Sequence, residues 1–231
     1  MDLIKPPGII VALDISLSES CALVQKLKPA EDKIAGYKVS SLTVLEHGLN
    51  AIVAELKKFT KKPIIYDHQK GCTDIPKIVE KQVKLAADCG INSFIAVPLG
   101  AGSETMAAFV NACKEKEILP IILLSMTHKG AEDYLKPEAP DLVFETARDL
   151  GVKYFVAPGN NPEKIAEIKA KLDPGMFITS PGIGAQGGSC EEAVKAGTDY
   201  PIVGRAVYEA EDSVKAVEAL YKEARKGFES R

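Results

Sequence analysis

The sequence predicts an α/β protein, a single-domain (β/α)8 barrel spanning residues 1–231. Three observations carry that expectation. Short β-rich runs recur along the chain with helical patterns between them, as βα units on a parallel sheet require. Several of the runs are almost wholly apolar, which suits strands covered on both faces. No Ser/Gly-rich linker, low-complexity tract or charge block divides the chain. Eight such repeats in this length favour the closed TIM barrel, with an open doubly wound sheet as the alternative.

The eight strands read as residues 9–14, 34–39, 64–67, 94–98, 120–125, 154–157, 177–180 and 202–204. The first is the run Ile9-Ile-Val-Ala-Leu13, cut short by Asp14, and the third is bounded by Pro63. Helices are expected over residues 42–59, 75–87, 104–116, 162–172 and 212–225. In the first of these, Val44, Leu45, Leu49, Ile52, Val53 and Leu56 fall on one side; in the second, Pro76 occupies the first turn. Charged residues fill the opposite helix faces and read as solvated surface.

Composition narrows the partners. Twenty-nine basic and 32 acidic residues leave a formal net charge of -3, so the concentrated basic excess that nucleic acid or an acidic membrane demands is lacking. The five cysteines (Cys21, Cys72, Cys89, Cys113, Cys190) are odd in number, widely spaced and never CxxC, which suggests neither a disulfide framework nor a zinc site and suits a reducing cytoplasm. The N-terminus lacks a basic segment followed by a long apolar run, and no apolar stretch is long enough to span a bilayer.

Polar, ionisable and glycine residues gather where the strands end: Asp14, Lys38, Asp67 to Asp74, Pro98 to Gly102, Ser125 to His128, Pro158 to Asn161, Ser180 to Gly188, and Gly204-Arg205. Barrel enzymes build their sites on that face. The segment Asp67-His-Gln-Lys-Gly-Cys-Thr-Asp74 places two carboxylates around one ammonium as a strand hands over to a helix. Its plainer reading is a turn aspartate, a solvated lysine and a helix cap. Recurrence of such residues after every strand favours chemistry.

The second cluster is Ser180-Pro-Gly-Ile-Gly-Ala-Gln-Gly-Gly188 followed by Ile202-Val-Gly-Arg205. Glycines let backbone N–H groups converge on an anion, and loops after the seventh and eighth barrel strands are the usual phosphate site. Arg205 offers a planar charged fork and Gln186 a neutral amide donor. A flexible loop with an unrelated arginine is the alternative, but an arginine at an inward-facing strand end is expensive to bury without an anion. Neither GxGxxG near the N-terminus nor GxxxxGK[ST] is present, so a phosphorylated small molecule is expected rather than a dinucleotide or nucleoside triphosphate.

Taken together, Lys38 in Gly36-Tyr-Lys-Val39, the Asp67/Lys70/Asp74-Ile-Pro cluster, Met126-Thr-His128 and the Pro-Gly-x-Gly-Ala-Gln-Gly-Gly loop with its later Gly-Arg resemble orotidine 5'-monophosphate decarboxylases of the archaeal type. The match runs in order over essentially the whole chain. The resemblance implies a homodimeric barrel that converts orotidine monophosphate to uridine monophosphate in de novo pyrimidine biosynthesis, with neither metal nor organic cofactor. It implies a catalytic tetrad of Lys38, Asp67, Lys70 and Asp74, with Asp74 reaching the partner subunit's site. It further places Asp14 on the ribose, Thr127 on the pyrimidine edge, and Gln186 and Arg205 on the phosphate. Ile75, Pro181, Gly182, Gly184, Gly187, Gly188 and Gly204 complete the implied binding set.

This chain departs from the family pattern in spacing. Asp-x-Lys-x-x-Asp, which puts the first carboxylate and the lysine on one strand face, is widened here to Asp-x-x-Lys-x-x-x-Asp. A bulge or wider turn at Gly71 is needed to restore the aim of Lys70. Ile78 stands where archaeal relatives carry Thr, and Lys129 where they carry Pro. Two rivals remain at this level. One is a magnesium-dependent phosphosugar lyase resembling hexulose-phosphate synthase, although Gly36-Tyr-Lys-Val-Ser-Ser41 offers no acidic ligand. The other is a nucleotide-binding module without catalysis.

Overall fold

Eight parallel strands pair in sequence order and close into a barrel: β1 (Ile9–Ala12), β2 (Ile34–Ser40), β3 (Ile64–Asp67), β4 (Ser93–Ala96), β5 (Leu119–Leu123), β6 (Tyr154–Val156), β7 (Phe177–Ser180) and β8 (Tyr200–Val203). Closure is made by β8 against β1, with Ile10 opposite Ile202 and Val11 opposite Val203. The computed structural model describes residues 3–128, 130, 133–184 and 186–231, and of Lys70 and Gly71 the backbone only. The helices are α1 (Leu17–Lys26), α2 (Ser41–His47), α3 (Leu49–Leu56), α4 (Pro76–Asp88), α5 (Gly102–Glu115), α6 (Ala139–Asp149), α7 (Pro162–Lys169), α8 (Cys190–Ala196), α9 (Arg205–Tyr208) and α10 (Ser213–Glu229).

The two-residue period of the strands sorts the core into two layers. Ile9, Val11 and Leu13 of the β1 segment pack outward against the helices, with Val24, Ile52, Val53 and Val83. Ile10 and Ala12 join Ile65, Ile95, Ile121, Leu123, Val156 and Ile202 inside the barrel. Each of the fully buried aliphatic side chains contributes on the order of 1.5–3 kcal/mol by leaving water.

One irregularity sets the site. The β1–β2 register shifts after Ile9, so that Ile9 faces Ile34 but Ile10 faces Gly36. Ala35 belongs to the inner layer and Tyr37 to the outer one, although they are two residues apart. The bulge therefore reverses which residues face inward, and Lys38 follows Gly36 onto the barrel interior.

Three expectations change. The helix expected over residues 42–59 is two helices, α2 and α3, broken at Gly48, whose φ of 77° lies in the left-handed region. Apolar periodicity runs through the break and conceals it, yet Leu45 on α2 is 85% exposed. Arg205 is not a buried residue at an inward-facing strand end: β8 ends at Val203, Gly204 turns the chain, and Arg205 opens α9 as an exposed residue. Finally, α1, α6, α8 and α9 lie outside the helical stretches named from periodicity. The first is set by a capping box in which Ser16 accepts from the Glu19 N–H while Glu19 accepts from the Ser16 N–H, at 3.3 and 3.1 Å.

Candidate active site

At the C-terminal face, inward-pointing residues of the first three strands meet. Lys38 is buried, and its Nζ lies 3.1 Å from Asp67 Oδ2 and 3.3 Å from Asp14 Oδ1. Asp67 follows Ile65 on the inner face of β3, and Asp14 follows Ala12 by the same period. Burial alone would lower the pKa of Lys38; the charges of Asp67 and Asp14, with their hydrogen bonds, outweigh it and raise the pKa, so the ammonium is held protonated. Asp67 Oδ1 is buried and has no hydrogen-bond partner among the described residues.

Beyond Asp67 the chain forms a 3-10 turn, Gln69–Cys72, before α4 begins at Pro76. This turn takes up the wider spacing, and β3 pairs with β4 in unbroken register through Asp67. Cys72 is buried in the outer core layer, its thiol pushed up to about 12 by burial, and the Gln69 carbonyl accepts from the Val97 N–H at 3.3 Å. The backbone of Lys70 lies in this turn, while its side chain is outside the described residues. Gln69, rather than Lys70, stands two residues after Asp67, and it lines the cavity.

On the other side of the barrel mouth, the loops after β5 and β7 meet at Gly182. A Cβ there would lie 3.0 Å from Thr127 Cγ2 and 3.3 Å from Gln186 Oε1, and its φ of 92° suits glycine. The loop folds back on itself: Gly184 N–H donates to the Gly188 carbonyl (2.8 Å), and Gly188 N–H to that of Gly182 (3.2 Å). At Gly188 a Cβ would meet the carbonyl oxygens of Gly182 and Gly159 at 2.6 and 2.7 Å, so the tight return requires glycine.

One cavity of about 250 Å³ unites these parts. Of the residues expected from sequence, Asp14, Lys38, Asp67, Thr127, Pro181, Gly182, Gln186, Gly204 and Arg205 line it. Gly184, Gly187 and Gly188 shape the loop from behind instead of lining the cavity. Asp74 and Ile75 do not line it: both are exposed, and the Asp74 Oδ1 accepts from the Ile75 N–H at 2.6 Å. Thr105 of α5 anchors that corner by donating to the Asp74 carbonyl at 3.0 Å. Ile78 is 37% exposed on α4, and Lys129 lies outside the described residues. A second hollow of about 470 Å³ adjoins the first, shares Thr127, and includes His128, Asp133 and Lys164.

Sequence reasoning did not single out Ala12, Gln69, Ile183, Ile202 or Tyr208, all of which line the cavity. Counting by twos from Ile10 would have found Ala12. Tyr208 is carried inward by the single turn of α9, and a Cβ on Gly204 would lie 3.2 Å from its ring. Burial first, then the charge of Asp14, raises the Tyr208 pKa, so its hydroxyl stays a neutral donor. Among the described residues no group of three His, Cys, Asp or Glu side chains converges to hold a metal ion.

A closed barrel that brings a charged lysine, two carboxylates and an arginine–amide pair into one cavity at its C-terminal face defines an enzyme for a small anionic substrate. Residues 7–220 match the orotidine 5'-phosphate decarboxylase / HUMPS family, and the chain belongs to that family. It is 34% identical over 218 residues to orotidine 5'-phosphate decarboxylase of Pyrococcus furiosus, covering 94% of this chain and 97% of the relative. Against the Methanococcus maripaludis (strain C6) enzyme of the same name it is 34% identical over 206 residues, covering 88% and 91%. The crystal structure of the Pyrococcus horikoshii decarboxylase superposes with a TM-score of 0.81 at 32% identity, covering 94% of this chain and 99% of that one. The Methanocaldococcus jannaschii decarboxylase, complexed with the inhibitor BMP, superposes with a TM-score of 0.84 at 29% identity, covering 96% and 100%.

Proposed function

We propose that this chain is a carboxy-lyase that converts orotidine 5'-monophosphate to uridine 5'-monophosphate in pyrimidine biosynthesis, with all of residues 1–231 forming one catalytic domain in the cytoplasm. The observation that carries the reading is the joining of two kinds of group in one cavity. Lys38 is held charged between Asp14 and Asp67, and Gln186 and Arg205 line the same cavity. A nucleotide monophosphate has matching parts: a base and ribose for the first set and a phosphate for the second. No helix among the described residues is long and apolar enough to cross a membrane.

In this reading the bond between ring carbon 6 and the carboxylate breaks, carbon dioxide leaves, and the electron pair stays on carbon 6. No adjacent group can delocalise that pair, so a fixed ammonium must stabilise it and then supply the proton. Lys70 has this role. Asp67 faces the departing carboxylate, and its Oδ1 is buried without a hydrogen-bond partner among the described residues. Lys38 positions Asp67 and contacts the ribose together with Asp14. Thr127 reads the pyrimidine edge, while Gln186, Arg205 and the glycine loop hold the phosphate, whose binding energy orders the site.

Asp74 and Ile75 serve the partner's cavity in a homodimer. Their exposure away from their own cavity supports this, as do Ile75 (62% exposed), Leu42 (71%) and Leu85 (69%), large apolar side chains that a second copy would cover.

The test follows orotidine monophosphate spectrophotometrically, with and without EDTA. Turnover that EDTA leaves unchanged is expected. Metal-dependent cleavage of a phosphosugar would establish the lyase rival, and tight uridine monophosphate binding without turnover would reduce the protein to a binding module.

A further inference from the structure

We infer that the lysine-lined pocket on the N-terminal face of the barrel, opposite the catalytic face, binds a compact oligophosphate. The pocket has a volume of about 440 Å³ and is lined by Lys28, Lys57, Lys58, Lys61 and Lys62 around Glu31. Lys28 opens the 3-10 turn Lys28–Lys33 that leads into β2, and the other four lie on the connection from α3 to β3. β3 rises about 3.3 Å per residue from this end toward Asp67, so the pocket and the catalytic cavity are separated by the length of the strand. They share no lining residue.

Several lysines outside the pocket are neutralised locally. Lys84 pairs with Glu80 and Glu115 at 2.7 and 2.9 Å, Lys116 with Asp88 at 2.7 Å, and Lys171 with Asp141 at 2.6 Å. In the pocket the arrangement differs. Among the described residues Glu31 is the sole carboxylate of the lining, and both of its oxygens are engaged: Oε2 by Lys28 at 2.5 Å and Oε1 by the Thr60 hydroxyl at 2.9 Å. Thr60 is buried, and its hydroxyl also accepts from the Lys62 N–H at 3.0 Å, which fixes this wall. Lys58 is paired with Glu55 at 2.6 Å, and Lys57 donates to the Gly90 carbonyl at 2.6 Å, a neutral acceptor that leaves its charge unbalanced. Lys61 and Lys62 form no ion pair among the described residues. Burial lowers the pKa of Lys62, with Glu31 and Asp32 opposing it; a bound anion would oppose it further.

The surplus identifies the ligand's chemistry. Several ammonium groups around a concavity call for an anion with more than one charge, and lysine is a point-charge partner for phosphate oxygens. A long nucleic acid would need a basic stripe and a basic chain; here the net charge is -3 and the lysines surround one hollow.

Calorimetric titration of the full chain with inorganic tripolyphosphate tests the site, using wild type, the double variant Lys61→Glu/Lys62→Glu, and Arg205→Ala to control for binding in the catalytic cavity. Saturable, salt-sensitive binding is expected in wild type and in Arg205→Ala, weakened about tenfold or more in the double variant. Its melting temperature and orotidine monophosphate turnover report whether the double variant is folded; Lys61→Ala, read the same way, substitutes if it is not. No saturable binding to wild type overturns the proposal. So does binding lost in Arg205→Ala but kept in the lysine variant, or an RNA oligomer that binds and that tripolyphosphate does not displace.

Discussion

Lys38 Nζ and Asp67 Oδ2 lie 3.1 Å apart in the barrel mouth with both side chains largely removed from water. Removing one partner of such a pair leaves an uncompensated buried charge, which costs more than the pair itself contributes. Lys38→Met is therefore expected to destabilise the fold by about 3–5 kcal/mol at neutral pH and to abolish turnover. The pH dependence gives the sign. Because folding raises the Lys38 pKa, its stabilisation is fully present below the unfolded lysine value of about 10.4 and is lost as pH rises through the folded value. Urea melts of wild type and Lys38→Met should converge as pH rises above that range; parallel curves would show that the ion pair is not the source of the difference.

Arg205→Ala should lower kcat/KM for orotidine monophosphate by about 1.5–3 kcal/mol, the scale of a hydrogen bond to a charged group. Exposure of Arg205 places the effect toward the lower end. A substrate lacking the phosphate should lose much less. Equal losses for both substrates would make Arg205 structural.

The glycine loop allows a paired comparison. Gly188→Ala puts a Cβ against two backbone carbonyls, which cannot yield as a side chain tip can, so the loop must open and substrate KM should rise by at least about tenfold. Gly187→Ala meets nothing within 4 Å and pays only for its φ of 87°, about 1 kcal/mol. Steady-state kinetics on both variants checks the order; a larger effect at Gly187 would remove the argument from close packing.

The shared site is tested by mixing. If Asp74 serves the partner, inactive Lys70→Ala and inactive Asp74→Ala chains should form heterodimers with one doubly defective site and one intact site. Random mixing in equal amounts should restore roughly a quarter of wild-type activity, by the geometry of a two-fold pair. Absence of recovery despite demonstrated exchange of subunits would assign Asp74 to its own chain.

Much of this was legible in the sequence because parallel barrels write their strands as isolated apolar runs, and all eight such runs became strands. The cavity residues Asp14, Lys38, Asp67, Gln186 and Arg205 were legible because strand ends and glycine loops are where unlike chemistry stands out. Gly48 was not, since the apolar period continues across it. Tyr208 and Gln69 were hidden for another reason: each is brought to the cavity by a single helical turn, Arg205–Tyr208 and Gln69–Cys72, too short to produce a periodic signal.

The register shift between β1 and β2 makes the catalytic face depend on a count as well as on identity. Were residues 34–38 to alternate without that shift, every functional side chain would keep its place in the sequence, yet Tyr37 would move in phase with the interior and Lys38 would be turned toward the helices. Alternation along an unbroken strand puts Ile34 and Lys38, four residues apart, on one face. The shift lets β2 place them on opposite faces, packing as an ordinary barrel strand at its base and presenting a cation at its tip.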